Sequence, residues 1–278
     1  MKELPKRIIW GVILAVIVVA GTVVRPQLFH VLMAFAIVQT LREFYDMAIG
    51  KKGFIAERIL AMLSAGLLYA FLVPYMSGAI TQIRLLAVAF VPILLIAVIP
   101  IWHKDHSDHG KIAYIFAGLA YVGYPLALIP ILQYHDGVQD GWIVLALLAI
   151  VWGADVGAYF VGSALGRRPG AIRLAPSISP KKSLWGLAGA ILFGTGCAVG
   201  FHYIGILNFG IAHAVAIGLI GSIGGQLGDL VESMWKRHFD VKDSGNLIPG
   251  HGGLYDRLDS VILALPMITL YLAIAGLL

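Results

Sequence analysis

Residues 141–165 read G-W-I-V-L-A-L-L-A-I-V-W-G-A-D-V-G-A-Y-F-V-G-S-A-L, from Gly141 to Leu165. The run is far longer than a buried strand. An α-helix of this length, rising ~1.5 Å per residue, crosses the ~30 Å hydrocarbon core of a bilayer. Trp142 at its start fits the headgroup level, and Trp10 and Trp102 fall at the edges of other apolar runs. The one carboxylate inside it, Asp155, is costly there, by about 2.5–3.5 kcal/mol at a helix centre, so it marks either function or a hydrogen bond to a neighbouring helix.

Eight further apolar runs lie outside this one, at 7–24, 28–48, 57–75, 83–101, 112–133, 184–203, 209–231 and 260–278. The second is the weakest, because Gln39, Arg42 and Glu43 interrupt its latter half. The whole chain of 278 residues is 59% hydrophobic and only 13% charged, more apolar side chain than one soluble core can hide. Its 33 glycines suit membrane helices, whose backbones approach closely at small residues. The expected fold is therefore an all-α polytopic membrane protein of about nine transmembrane helices in a single domain, 1–278. Residues 1–135 read as helical scaffold and 136–278 as the half that carries the chemistry. The single cysteine, Cys197, excludes an internal disulfide framework and reads as a packing residue. The first apolar run shows no small-residue cleavage site and reads as a span rather than a signal peptide.

All twenty lysines and arginines except Arg25 and Arg84 fall on one side, in the N-terminal tail or at alternate connections between these runs. The positive-inside rule then puts the N-terminus in the cytoplasm and the C-terminus outside. The net charge of +5 is accounted for by topology and anionic ligands rather than by nucleic acid. The run H-K-D-H-S-D-H, His103 to His109, lacks a cysteine and fits no structural zinc spacing, so it reads as a solvated turn.

Two long cytoplasmic connections concentrate the unusual residues. The first follows the 141–165 run and ends in S-I-S-P-K-K-S, where Ser177, Ser179, Lys181 and Lys182 suggest a rigid anion-binding turn. The second, from Gly228 to Asp259, holds Asp229, Glu232, Asp240, Asp243, Asp256 and Asp259, interleaved with Lys236, Arg237, Lys242 and Arg257. If the 209–231 helix continues past the membrane edge, Asp229, Glu232 and Lys236 share one face, as do Asp256 and Asp259 at the start of the last run. Carboxylates at two helix ends suit Mg²⁺, a hard cation held by a few carboxylates plus substrate phosphates. Between them, Pro249 to Gly253 reads P-G-H-G-G, a glycine-rich turn that lets a ligand approach backbone N–H groups.

The stretch S-M-W-K-R-H-F-D-V-K-D-S-G-N-L-I-P-G-H-G-G-L-Y-D-R-L-D, Ser233 to Asp259, closely resembles the signature of the phosphatidate cytidylyltransferase family. G-D-L-V-E-S from Gly228, D-V-G-A-Y-F-V-G from Asp155 and S-P-K-K-S from Ser179 resemble further parts of it. The resemblance covers the C-terminal half. Trp235 and Trp185 depart from the family's pattern, the latter where a polar side chain is usual. The resemblance implies a nucleotidyltransferase making CDP-diacylglycerol and pyrophosphate from CTP and phosphatidate, at the cytoplasmic face of a bacterial inner membrane. It implies Mg²⁺ held by Asp229, Asp256, Asp243 and Asp259, with room for a second cation. Catalytic roles fall to Asp229, Asp256, Lys236, Arg237, Lys242, Asp243, His251 and Arg257. Substrate-binding roles fall to Asp155, Ser177, Ser179, Lys181, Lys182, Gly252 and Gly253. A homodimer is compatible with it. The rival readings are a paralogous CTP-dependent enzyme acting on another lipid phosphate or a polyprenol, and, more remotely, a cation-coupled transporter.

Overall fold

A computed structural model describes residue 13 and residues 15–103, 108–135, 137–248 and 252–278. Among them the regular secondary structure is helical apart from two short antiparallel hairpins and one isolated bridge, Ile248 with Gly252. The long helices are α1 (Pro26–Ala48), α2 (Ile55–Met76), α3 (Ile83–Trp102), α4 (His109–Gln133), α5 (Gly141–Ala164), α6 (Leu184–Tyr203), α7 (Ile211–His238) and α8 (Tyr255–Ile274). The hairpins pair β1 (Tyr134–His135) with β2 (Val138–Gln139), and β3 (Arg173–Ala175) with β4 (Ser179–Ser183).

Seven of these helices, α2 to α8, are long and apolar enough to cross a membrane. Nine were expected. The 28–48 run does form the 23-residue helix α1, yet its polar latter half leaves it out of the seven. The 7–24 run falls largely outside the described residues, which contain only the short apolar helix Ala15–Val24 of it. Large aliphatic side chains such as Leu94, Ile101, Leu192 and Ile274 are exposed on the apolar helices, as lipid-facing positions require.

Prolines explain the least regular spans. α3 runs from a 3₁₀ segment through α-helix at Val91–Val98 to a second 3₁₀ turn, with Pro92 and Pro100 at the junctions. α4 contains a π-type turn at Leu119–Gly123 just ahead of Pro125. Proline lacks an N–H, and such local adjustments satisfy the backbone groups it frees.

The chain divides into two compact units, residues 1–140 with 241–257, and residues 141–240 with 258–278. In the first, Ile37, Leu41, Phe44 and Tyr45 of α1 are fully buried with Ala65 of α2 and Ile115 of α4. The Tyr45 hydroxyl donates to the Ile115 carbonyl across 2.9 Å, and Ser64 Oγ donates to the Ala89 carbonyl across 2.6 Å. In the second, α5, α6 and α7 pack through glycine. A Cβ placed on Gly157 would meet the Gly189 carbonyl oxygen, and one on Gly218 would lie 2.5 Å from Thr195 Cα, so the helices sit backbone to backbone.

Candidate active site

The second unit holds a carboxylate cluster. Asp229 and Glu232 on α7 and Asp259 on α8 each offer an oxygen, all within 4.8 Å of one another. The sequence sets this up twice. The three-residue spacing of Asp229 and Glu232 stacks them on one helical face. Gly228 then lets α8 close in, since a Cβ there would collide with the Asp259 carbonyl and lie 3.1 Å from Ser260 Cα. Asp259 sits just past the first turn of α8, and its Oδ1 accepts from Ser260 N–H at 2.7 Å.

Cations border the cluster. Lys182 Nζ lies 2.8 Å from Asp229 Oδ2 and donates to the Gln226 carbonyl at 3.3 Å. Lys236 Nζ lies 2.6 Å from Glu232 Oε2, one turn along α7. Both lysine side chains are mostly buried, so these pairs are screened less than surface pairs are. Ser233 Oγ donates to Asp229 Oδ1 at 3.3 Å. Asp155 is tied in from α5, where its Oδ1 accepts from Gln226 Nε2 at 2.9 Å. The intramembrane carboxylate therefore has a hydrogen-bonded partner on α7, one turn before Asp229.

The S-P-K-K-S segment is a strand, β4, rather than a turn. Successive side chains on a strand point to opposite faces. That alternation leaves Lys181 exposed while Lys182 reaches Asp229. Ser183 ends the strand by capping α6, accepting from Gly186 N–H at 3.2 Å. Ser177 in the hairpin turn is exposed, and Ser179 is half-buried.

The first unit holds the glycine-rich loop. Asp256 Oδ2 accepts from Gly253 N–H at 2.8 Å, Ser244 N–H at 3.0 Å and Ser244 Oγ at 2.9 Å. Gly252 has a φ of +81°, and a Cβ there would lie 2.7 Å from Asp256 Oδ2, so the position requires glycine on both counts. Asp243, Lys242 and Arg257 in this unit are exposed, as is Arg237 in the other. His251, expected to act with them, lies outside the described residues.

Two acids to which the sequence reading gave no site role matter here. Glu232 joins the carboxylate cluster although only Asp229, Asp243, Asp256 and Asp259 were expected as ligands. Glu43, which looked like an interruption of an apolar run, is 4% exposed. Its Oε1 accepts from Gln39 Nε2 at 2.8 Å and its Oε2 accepts from Tyr255 N–H at 2.8 Å. An acid inside a long apolar run is the signal that Asp155 gave, and Glu43 gave a weaker form of it, with Gln39 and Arg42 beside it. In the His103–His109 run, of which residues 104–107 lie outside the described residues, His103 Nε2 lies 2.8 Å from the buried Glu57 Oε1 and His109 bonds the Pro100 carbonyl, while Asp108 is exposed.

Three carboxylates converging within reach of one another form a hard-oxygen donor set, which fits a divalent cation such as Mg²⁺. Lysines at the rim fit phosphate oxygens arriving beside it.

Residues 5–275 match the cytidylyltransferase family. The chain is 31% identical over 278 residues to the phosphatidate cytidylyltransferase of Bacillus subtilis (strain 168), covering 99% of both chains. It is 33% identical over 213 residues to that of Staphylococcus aureus (strain COL), covering 76% of this chain and 78% of the relative. The same enzyme of Staphylococcus haemolyticus (strain JCSC1435) is 37% identical over 171 residues, 61% of this chain. With its apolar helices and its converging carboxylates and lysines, the chain belongs to the cytidylyltransferase family and is an integral membrane nucleotidyltransferase.

Proposed function

We propose that this chain transfers the cytidylyl group of CTP to phosphatidate, forming CDP-diacylglycerol and pyrophosphate, at the cytoplasmic face of a bacterial inner membrane. The observation that carries this reading is the cluster of Asp229, Glu232 and Asp259 with Lys182 and Lys236 paired to its edge. The relatives named phosphatidate cytidylyltransferase support the choice of substrates.

The reaction forms one P–O bond and breaks another. A phosphate oxygen of the lipid attacks the α-phosphorus of CTP, and the bond from that phosphorus to the bridging oxygen breaks, its electron pair leaving with pyrophosphate. A phosphomonoester has a second pKa near ~6, so the nucleophile is already largely ionised at neutral pH and needs no strong base. What it needs is alignment and charge neutralisation. Bound by Asp229, Glu232 and Asp259, Mg²⁺ would supply a Lewis acid that polarises phosphoryl oxygens.

The rest falls to the chain's own groups. Lys182 and Lys236 exchange part of their pairing with carboxylates for phosphate oxygens of the bound substrates. Lys181, Arg237, Lys242 and Arg257 draw the anionic nucleotide in, and Ser177 and Ser179 donate to its phosphates. Asp256 holds the Gly252–Gly253 turn so that its backbone can face a phosphate. The assignment of Asp256 and Asp243 as further cation ligands belongs to this same proposal, as does a phosphate-orienting role for His251.

Purified protein in detergent–phosphatidate micelles, supplied with CTP and Mg²⁺, is expected to form lipid-extractable CDP-diacylglycerol and one pyrophosphate per product, and EDTA is expected to stop both. Folded protein that makes no product from phosphatidate would overturn the substrate assignment and turn the search to other lipid phosphates and polyprenols.

A further inference from the structure

The end of α1 and the start of α2 enclose a cleft of about 210 Å³ within the first unit. Its lining includes three cations, Arg42, Lys51 and Arg58, against one carboxylate, Asp46. Arg58 is nearly buried. It is ion-paired with Asp46 and donates to the Gly50 carbonyl at 2.8 Å, so these two charges cancel and form a fixed floor. Arg42 stands above them with its side chain 64% exposed and its Nε 3.9 Å from Asp46, and Lys51 is exposed beside the turn. The cleft mouth therefore keeps an excess of positive charge.

The other wall is aliphatic. Ile55 and Ile59 lie one turn apart on α2 and are 55% and 54% exposed. They open the candidate span Ile55–Met76, so they stand where headgroups give way to hydrocarbon. A ligand that satisfies both walls carries an anion next to an acyl chain. A soluble anion satisfies the cations and leaves the isoleucines wet, whereas a neutral lipid does the reverse. Basic pockets at helix ends are a known way to hold anionic headgroups, each basic residue adding to the affinity. We propose that this cleft binds an anionic phospholipid, its phosphate between Arg42 and Lys51 and its first acyl carbons along Ile55 and Ile59. A phospholipid that is not a substrate is expected to occupy it.

Native mass spectrometry of the purified protein tests this with phosphatidylglycerol, phosphatidylcholine and inorganic phosphate as probes. Wild-type protein is expected to retain phosphatidylglycerol over phosphatidylcholine. The double substitution Arg42→Gln/Lys51→Gln, at two exposed positions, is expected to lower that preference by about thirtyfold. Arg84→Gln, an exposed arginine elsewhere in the unit, is expected to leave it unchanged. No preference in wild type, or an undiminished one in the double variant, overturns the site. Displacement of phosphatidylglycerol by millimolar inorganic phosphate overturns the lipid assignment in favour of a plain anion site. Because the readout is bound lipid, it stands or falls separately from CDP-diacylglycerol synthesis.

Discussion

Tyr255 N–H donates to Glu43 Oε2 across 2.8 Å, joining α1 to the first residue of α8 over a separation of 212 residues. The same carboxylate receives Ser244 Oγ at 3.5 Å, and Ser244 also bonds Asp256. The Gly252–Gly253 turn is thus held from the N-terminal half of the chain. Gly253 completes the fit, since any Cβ there would run into Glu43 and Ser244.

Glu43→Ala is expected to release that turn. It leaves a buried N–H without its acceptor, a loss of about 1–3 kcal/mol. Turnover of CTP should fall by at least about tenfold, and the thermal transition should drop with it. Glu43→Gln keeps an acceptor oxygen in place and is expected to recover most of the turnover. Full activity in the alanine variant would show that the turn holds its shape without α1.

Gly228→Ala tests whether the carboxylate cluster depends on close approach of α7 and α8. The added methyl collides with the backbone at Asp259 and Ser260, so neither side can yield by a rotamer change. Overpacking of this kind costs about 1–3 kcal/mol. The expected outcome is a lower unfolding temperature together with a weakened response to Mg²⁺, because Asp259 moves away from Asp229. An unchanged Mg²⁺ requirement would show that the cluster tolerates the wider spacing.

The legible parts of this chain are those set by local pattern. The apolar runs at 141–165 and 184–203 became α5 and α6 within a residue at either end. Asp229, Glu232 and Lys236 were placed on one face by spacing alone, and the ion pair of Lys236 with Glu232 follows from it. Long-range pairings escaped. Nothing near Glu43 in sequence says that its partners are Ser244 and Tyr255. Nor does S-P-K-K-S announce a strand, because its partner Arg173–Ala175 carries no alternating pattern long enough to read. Hydropathy cannot rank a half-polar helix such as α1 either, since tertiary partners buried its acid.

Lys182 is the cation that cancels charge at Asp229. Lys182→Met removes that charge without opening a large cavity. The carboxylates then present more negative field to a cation and less positive field to a phosphate. Half-maximal activation is therefore expected at an equal or lower Mg²⁺ concentration, while kcat falls by about ten- to a hundredfold. Lys181→Met, on the exposed face of the same strand, is expected to raise KM for CTP more than it lowers kcat. Steady-state kinetics across a Mg²⁺ series separates the two.

The cation itself is best tested by removing charge while keeping shape. Asp259→Asn and Glu232→Gln each keep an acceptor oxygen and lose one negative charge from a cluster of three. Both should raise the Mg²⁺ concentration for half-maximal turnover, by at least about tenfold on the scale seen when the groups supporting a metal are altered. Glu232→Gln has a second effect, because it weakens the ion pair that Lys236 makes along α7. Its KM for CTP is therefore expected to stay near wild type while its Mg²⁺ requirement shifts. Asp256→Asn provides the contrast. Its carboxylate accepts from Ser244 and Gly253, so loss of turnover is expected from slackening of the turn alone. A shift in Mg²⁺ requirement as large as that of Asp259→Asn would add Asp256 to the ligands, as the resemblance to phosphatidate cytidylyltransferases implies. An Asp259→Asn enzyme with unaltered Mg²⁺ dependence would remove the metal from this cluster and leave the three acids as partners for Lys182 and Lys236.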